Sequence, residues 1–173
     1  ADQRRVHLLP AVEWLESAPG EKSVEAILQS GGDMFSRTED AAQRFRGGRE
    51  AWLRFELTNP SSEPRKLTLR FAQPHYLSTL NVWVIDDAGE RQSFSLGMLE
   101  PPASRPVWHR HPVLNLELQP GSRRTVVAQY SAGLAFRVNP ELWSRANFEH
   151  SEGAAAGLLW MCYGILLVMM VYS

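Results

Sequence analysis

Between about residues 49 and 139, apolar side chains recur at every second position in short runs, and each run stops at turn-forming residues. A period of two fits a strand with one buried face and does not fit a helix. In Ala51-Trp52-Leu53-Arg54-Phe55-Glu56-Leu57, Leu53, Phe55 and Leu57 share one face, while Trp52, Arg54 and Glu56 share the other. Asn59-Pro60-Ser61-Ser62 then ends the strand, because proline has no N–H for the ladder. Leu67, Leu69 and Phe71 repeat the pattern, as do Leu80, Val82 and Val84, and Leu114, Leu116 and Leu118. Asp86-Asp87-Ala88-Gly89 reads as a hairpin turn into a strand over Arg91–Leu96, and Gln119-Pro120-Gly121 as a second turn. Further strands are expected over Thr125–Tyr130 and Leu134–Val138.

Strands that are apolar on one face need a second sheet to cover them. The expected fold is all-β: an antiparallel, jelly-roll-like β-sandwich. The N-terminal part is less regular. Val6–Leu15 reads as a strand, and Val24–Gln29 as a short helix begun by Ser23. Gly31-Gly32 and Gly47-Gly48 punctuate loops, and Pro101-Pro102-Ala103-Ser104-Arg105-Pro106 forms a proline-rich connection. No internal repeat or low-complexity tract is visible.

A length of 173 residues suits one domain with a substantial core. Eighteen Lys and Arg against 19 Asp and Glu leave a net charge of -1, with no basic stripe, so nucleic acid is not an expected partner. The single cysteine, Cys162, excludes a disulfide within the chain and any cysteine-based zinc site. Asn59-Pro60-Ser61 is no glycosylation acceptor, because proline occupies its middle position. The polar start Ala1-Asp2-Gln3-Arg4-Arg5 fits the mature end left by a removed signal peptide.

From Ala154 to Tyr172 no charged residue occurs. That length matches a hydrocarbon core of about 30 Å, and the run lacks the polar face of a soluble core helix. The preceding Phe148-Glu149-His150-Ser151-Glu152 lacks Lys and Arg, as non-cytoplasmic flanks tend to. The expected organisation is an extracytoplasmic sandwich over residues 1–150, a short connection over Ser144–Glu152, and the first transmembrane helix over residues 153–173, with more protein beyond. Gly153, Gly157 and Gly164 fall near one helical face and are candidate contacts for a neighbouring membrane helix.

Six tryptophans are many for this length. Trp52 and Trp83 lie opposite the aliphatic stripes, beside Arg54 and Glu56. Aromatic faces stack against the apolar side of a sugar, while charged groups hold its hydroxyls. The candidate ligand-binding residues are therefore Trp52, Arg54, Glu56 and Trp83, with Trp108, Arg137 and Trp143 as further members. The competing reading places these tryptophans in the core, under the N-terminal segment. His109 and His111 would share a strand face, but no third ligand stands at a diagnostic spacing, so no metal site is assigned. No nucleophile elbow, phosphate loop or His-Glu-x-x-His motif is present, so neither catalytic residues nor a cofactor are expected.

Several segments in order resemble a known family: Trp52-Leu53-Arg54-Phe55-Glu56-Leu57-Thr58-Asn59-Pro60, and a hairpin Leu67-Thr68-Leu69-Arg70-Phe71 … Leu80-Asn81-Val82-Trp83-Val84. His109-Arg110-His111-Pro112-Val113-Leu114-Asn115-Leu116 follows, then a Pro-Gly turn, Leu134–Pro140 and the apolar run. The series is similar to the extracellular type-2 domain of the 7TM receptors with diverse intracellular signalling modules. Members of that family often carry arginine where Gln129 stands here. The resemblance implies a fold like carbohydrate-binding modules, a seven-helix membrane domain, and a cytoplasmic output such as a diguanylate cyclase or histidine kinase. The expected function is thus a periplasmic sensor on the bacterial inner membrane. Its ligand would be a carbohydrate or other small molecule, and homodimers or other receptor subunits are possible partners. Alternatives are a protein–protein recognition module and, with paired carboxylates in a cleft, a membrane-anchored hydrolase.

Overall fold

The computed structural model describes residues 5–8, 11–30, 34–37, 43–72 and 77–172. Eleven strands are present among them: β1 (Arg5–His7), β2 (Glu13–Ser17), β3 (Ser36–Arg37), β4 (Gln43–Phe45), β5 (Glu50–Thr58), β6 (Arg65–Ala72), β7 (Thr79–Asp86), β8 (Arg91–Ser95), β9 (Val113–Leu118), β10 (Arg123–Ser131) and β11 (Phe136–Ser144). Two helices accompany them, α1 (Val24–Gln29) and α2 (Arg145–Tyr172). The expected Gly31-Gly32 punctuation and the last residue of the expected span, Ser173, lie outside the described residues.

The strands form two sheets in which every pairing is antiparallel. One runs β1-β11-β6-β9, with β4 also on β11; the other runs β3-β2-β5-β10-β7-β8. Their facing sides enclose the main core. Leu53, Phe55 and Leu57 of β5, Leu80, Val82 and Val84 of β7, and Val126, Ala128 and Tyr130 of β10 meet Leu69 and Phe71 of β6, Leu114 and Leu118 of β9, and Phe136 and Val138 of β11. The alternation read from the sequence therefore sets the inward face of each strand.

Several expectations change. The β6 and β7 segments do not form a hairpin: β6 pairs with β9 and β11, and β7 pairs with β8 and β10 in the other sheet. Alternation sets which face is apolar, but not which strand lies alongside. Second, Val6–Leu15 is not one strand; β1 and β2 join different sheets.

Third, β11 continues past Pro140 to Ser144. The Phe71 N–H donates to Pro112 O at 3.0 Å, away from β11, so Phe71 and Pro140 are a non-hydrogen-bonded pair. The absent proline N–H therefore faces the other flank, between the stretches paired with β4 and β1. Helix α2 begins at the next residue, so the expected connection Ser144–Glu152 is the last strand residue followed by helix from Arg145, and α2 crosses the expected boundary at residue 150.

Helix α2 does not coincide with the expected span over 153–173. Its opening turns carry Arg145, Glu149 and Glu152. Among the described residues, no helix is long and apolar enough to cross a membrane.

Two local expectations hold. The Ser23 Oγ accepts from Ala26 N–H at 3.2 Å and starts α1. In the Asp86–Gly89 turn, Asp86 Oδ1 accepts from the Ala88 and Glu90 amides, and Gly89 takes φ 81°, which favours glycine.

Candidate functional site

The outward face of the six-stranded sheet is partly roofed by α1. Val24 and Ile27 of α1 press on Trp52 and Val127, forming a second, smaller core beside Leu15, Leu28, Phe35, Trp83 and Ile85. Trp52 is only 1% exposed and lies nearly parallel to the half-buried Trp83, with ring centroids 5.8 Å apart and planes at 15°. Trp52 thus supports the sheet and offers no face to solvent.

Beside α1 opens a cleft of about 670 Å³, lined by Ala11, Glu13, Leu28, Ser30, Arg37, Arg54, Phe55, Glu56 and Thr125. Arg54 organises it. Its Nε and Nη2 donate to Glu13 Oε2 at 3.0 and 2.7 Å, and its Nη1 donates to the Ile27 and Ser30 carbonyls at 3.3 and 2.9 Å. The guanidinium also lies over the Phe35 ring, 4.2 Å from its centroid. Arg37 Nη2 donates to the other Glu13 oxygen at 2.7 Å. The Arg37 guanidinium beside Glu13 and the Arg54 charge outweigh burial, and hold the carboxyl below its ordinary value. Glu56 and Arg37 remain exposed along the cleft.

Further along this face, Asn81 Nδ2 donates to Gln129 Oε1 at 3.1 Å, and Ser95 Oγ donates to Asn81 Oδ1 at 2.9 Å. This amide strip adjoins Trp83, since Gln129 pairs with Asn81 and Val127 with Trp83 across β10 and β7. Sequence reasoning missed Glu13, Arg37, Asn81 and Ser95 as members of this surface, and marked Gln129 only as a departure from the family pattern. Their one sequence signal is a polar place in the alternation, and only strand pairing brings them together.

Of the other candidates, Trp143 and Arg137 lie on the five-stranded sheet and Trp108 lies in a connection. Trp143 sits on the outward face of β11, and its Nε1 donates to Glu141 Oε2 at 3.1 Å. The same oxygen accepts from Arg70 Nε and Nη2 at 3.0 and 2.6 Å. Arg137 is exposed and pairs across β4 with Arg44. Trp108 is 83% exposed, in the connection between β8 and β9. Trp108, Arg137 and Trp143 are therefore not gathered with Arg54, Glu56 and Trp83.

This second face instead seats α2. Phe148 of α2 packs against Trp143 and His109, with ring centroids 5.9 and 5.3 Å away. Glu152 lies one turn further on. Its Oε2 is 3.1 Å from His109 Nε2 and 3.2 Å from Arg110 Nη2, and its Oε1 is 4.0 Å from Arg70 Nη1. The His111 N–H donates to His109 Nδ1 at 3.0 Å, which orients the ring with its Nε2 edge toward Glu152. Burial would raise the Glu152 carboxyl, but His109 and Arg110 together bring it below its ordinary value. These histidines serve the junction with α2; among the described residues, no group of three or more His, Cys, Asp or Glu could hold a metal.

A model of the 7TMR-DISM extracellular 2 family matches residues 9–144. The chain belongs to this family. The match ends where β11 ends and α2 begins. A 7TMR-DISM extracellular 2 domain is the receptor-type extracellular module that its family description names. No curated protein matches this chain.

Among solved structures, this 7TMR-DISM extracellular 2 domain is similar to TmCBM61, solved in complex with beta-1,4-galactotriose. The two share 14% identity over 82% of this chain and 88% of that one, with a TM-score of 0.35. It is also similar to CBM35 from Cellvibrio japonicus Abf62, at 17% identity over 56% of this chain and 65% of that one, with a TM-score of 0.31.

Proposed function

We propose that this domain is the periplasmic ligand sensor of a bacterial multi-pass signalling receptor in the inner membrane. The uncharged run Ala154–Tyr172 forms its first membrane helix, and a diguanylate cyclase or histidine kinase carries the cytoplasmic output. The domain itself performs no catalysis. The carrying observation is the junction: β11 passes into α2 with no intervening residue, and Phe148 and Glu152 seat the helix on the sandwich. Movement of the sandwich therefore moves the helix. The exposure of Trp160, Ile165, Leu166, Leu167, Val168 and Met169 supports lipid as the surroundings of the distal helix. At Gly153, Gly157 and Gly164 an added Cβ would meet nothing within 4 Å, which leaves room for a neighbouring membrane helix.

The ligand in this reading is a carbohydrate or another small hydroxylated molecule, held on the outward face of the six-stranded sheet. Trp83 supplies a ring face, Glu56 and Arg37 supply charge, and Asn81 and Gln129 supply amide groups. This face and the helix seat lie on opposite sheets, with the main core between them. A ligand shifts the receptor only by binding one arrangement of these parts better than another.

The test is calorimetry of the whole receptor in nanodiscs against a panel of oligosaccharides. A saccharide should bind, and both Trp83→Ala and Glu56→Gln should weaken it at least about tenfold, a loss of about 1.4 kcal/mol. Glu152→Gln should keep the affinity and reduce the output response. Absence of any bound saccharide overturns the carbohydrate reading in favour of protein–protein recognition, and a saccharide bound unchanged by both variants removes Trp83 and Glu56 from the site.

A further inference from the structure

The connection between β8 and β9 presents Trp108 beside the base of α2, and this placement gives the tryptophan a use. A single exposed tryptophan means little by itself. Here its neighbours are fixed. His109, the next residue, packs on Phe148 and faces Glu152, and Arg110 contacts both Glu152 oxygens at 3.2 and 3.4 Å. Pro106 precedes the tryptophan and the buried Pro112 follows it, limiting the freedom of the segment. Trp108 is thus held out from a constrained segment at the level of Glu152.

Glu152 stands two residues before Ala154, where the uncharged run begins. At 1.5 Å per residue, that is about 3 Å along the helix axis. The polar interfacial layer of a bilayer is about 5–8 Å thick on each side. If α2 enters lipid at Ala154, the segment 106–111 meets that layer. Tryptophan favours this depth, with its ring among the upper acyl chains and its N–H among the headgroups. Arg110 retains an exposed side chain that suits a lipid phosphate.

We infer that Trp108 and Arg110 form a membrane-interface anchor, a second contact between the sandwich and the lipid headgroup layer beside α2. The inference rests on the reading of Ala154–Tyr172 as a membrane helix. Two attachments, one through the helix and one through the β8–β9 connection, fix the tilt of the sandwich above the bilayer. With the helix alone, the tilt of the sandwich would follow whatever tilt α2 takes in the bilayer.

The test uses the full receptor in vesicles of phosphatidylethanolamine and phosphatidylglycerol. The native Cys162 carries an environment-sensitive fluorophore in one preparation. In Cys162→Ser backgrounds, Val107→Cys, which leaves Trp108 in place, or Ser93→Cys carries it instead. Ser93 lies exposed on β8 in the other sheet and reports bulk water. The expected result is quenching of the residue-162 probe by deep spin-labelled lipids. The residue-107 probe should be quenched by headgroup-labelled lipids several-fold more than the residue-93 probe. Deep quenching at 162 with water-like behaviour at both 107 and 93 overturns the anchor and leaves the receptor reading standing. A water-like probe at 162 overturns the membrane-helix reading, and the anchor with it.

Discussion

Phe148 meets Trp143 edge to face, with ring centroids 5.9 Å apart and planes at 75°. One residue belongs to the last strand and the other to the helix that continues it, so this aromatic contact, with the Glu152 contacts one turn on, sets the angle at which the chain leaves the sandwich. Phe148→Ala should cost about 3 kcal/mol, in the range for a buried phenylalanine. Hydrogen exchange should show the first turns of α2 losing protection while β5, β7 and β10 keep theirs. Uniform loss of protection would mean that the contact supports the whole domain rather than the junction.

Trp52 and Trp83 stack on each other, yet their substitutions should separate. Trp52→Ala removes a fully buried ring from beneath α1 and should cost about 3–5 kcal/mol. Trp83 is half-buried, and Trp83→Ala should cost about 1–2 kcal/mol. Urea unfolding of the two variants checks this. Equal losses would mean that Trp83 is as much a core residue as its neighbour.

Arg70 and Glu141 form an ion pair on the outward face of the five-stranded sheet, with Glu141 buried. Arg70→Met removes the cationic partner of that carboxylate, leaving it the Trp143 Nε1 hydrogen bond, and should cost about 3 kcal/mol. Adding Glu141→Gln should recover part of the loss, because a neutral amide tolerates burial better than a carboxylate that has lost its counter-charge. A double variant no more stable than Arg70→Met would show that packing of the arginine stem dominates.

Acid should weaken the domain in two stages. Burial first, then the Arg70 and Arg110 charges, hold His111 below its ordinary 6.5, so the unfolded chain takes up this proton before the folded one does. Stability is then complete above 6.5 and falls as pH drops from there through the lower folded value. Glu13 and Glu152 are both held below 4.5, so their contribution is present above 4.5 and disappears as pH falls through their lower folded values. Thermal unfolding across this range checks the order. His111→Asn should flatten the upper stage, and Glu152→Gln should shrink the lower one.

The sandwich and the face each strand turns inward were legible because a two-residue period is a local property. Leu53, Phe55 and Leu57 point inward wherever their strand is placed. The Ser23 cap of α1 and the turn at Asp86–Gly89 were legible for the same reason, since each is satisfied within four residues. The outward faces were not. Trp52 and Trp83 occupy equivalent places in their alternations, but α1 lies across one and leaves the other half-open.

The candidate cleft was half legible. Arg54 and Glu56 stood out beside tryptophan, whereas Glu13 and Arg37 joined them only through the pairing of β2 with β5 and β3.

The sequence by itself determined the class of sandwich, its inward residues and an uncharged C-terminal run, because alternation and charge are written along the chain. Tertiary structure alone decided that β6 and β7 part into different sheets, that Arg70 meets Glu141 across 71 residues, and that Phe148 and Glu152 dock α2 on β11 and the His109 segment. These contacts join segments remote in sequence or in different elements. Their energies arise only when the remaining packing brings the partners together, so no local pattern of residues announces them.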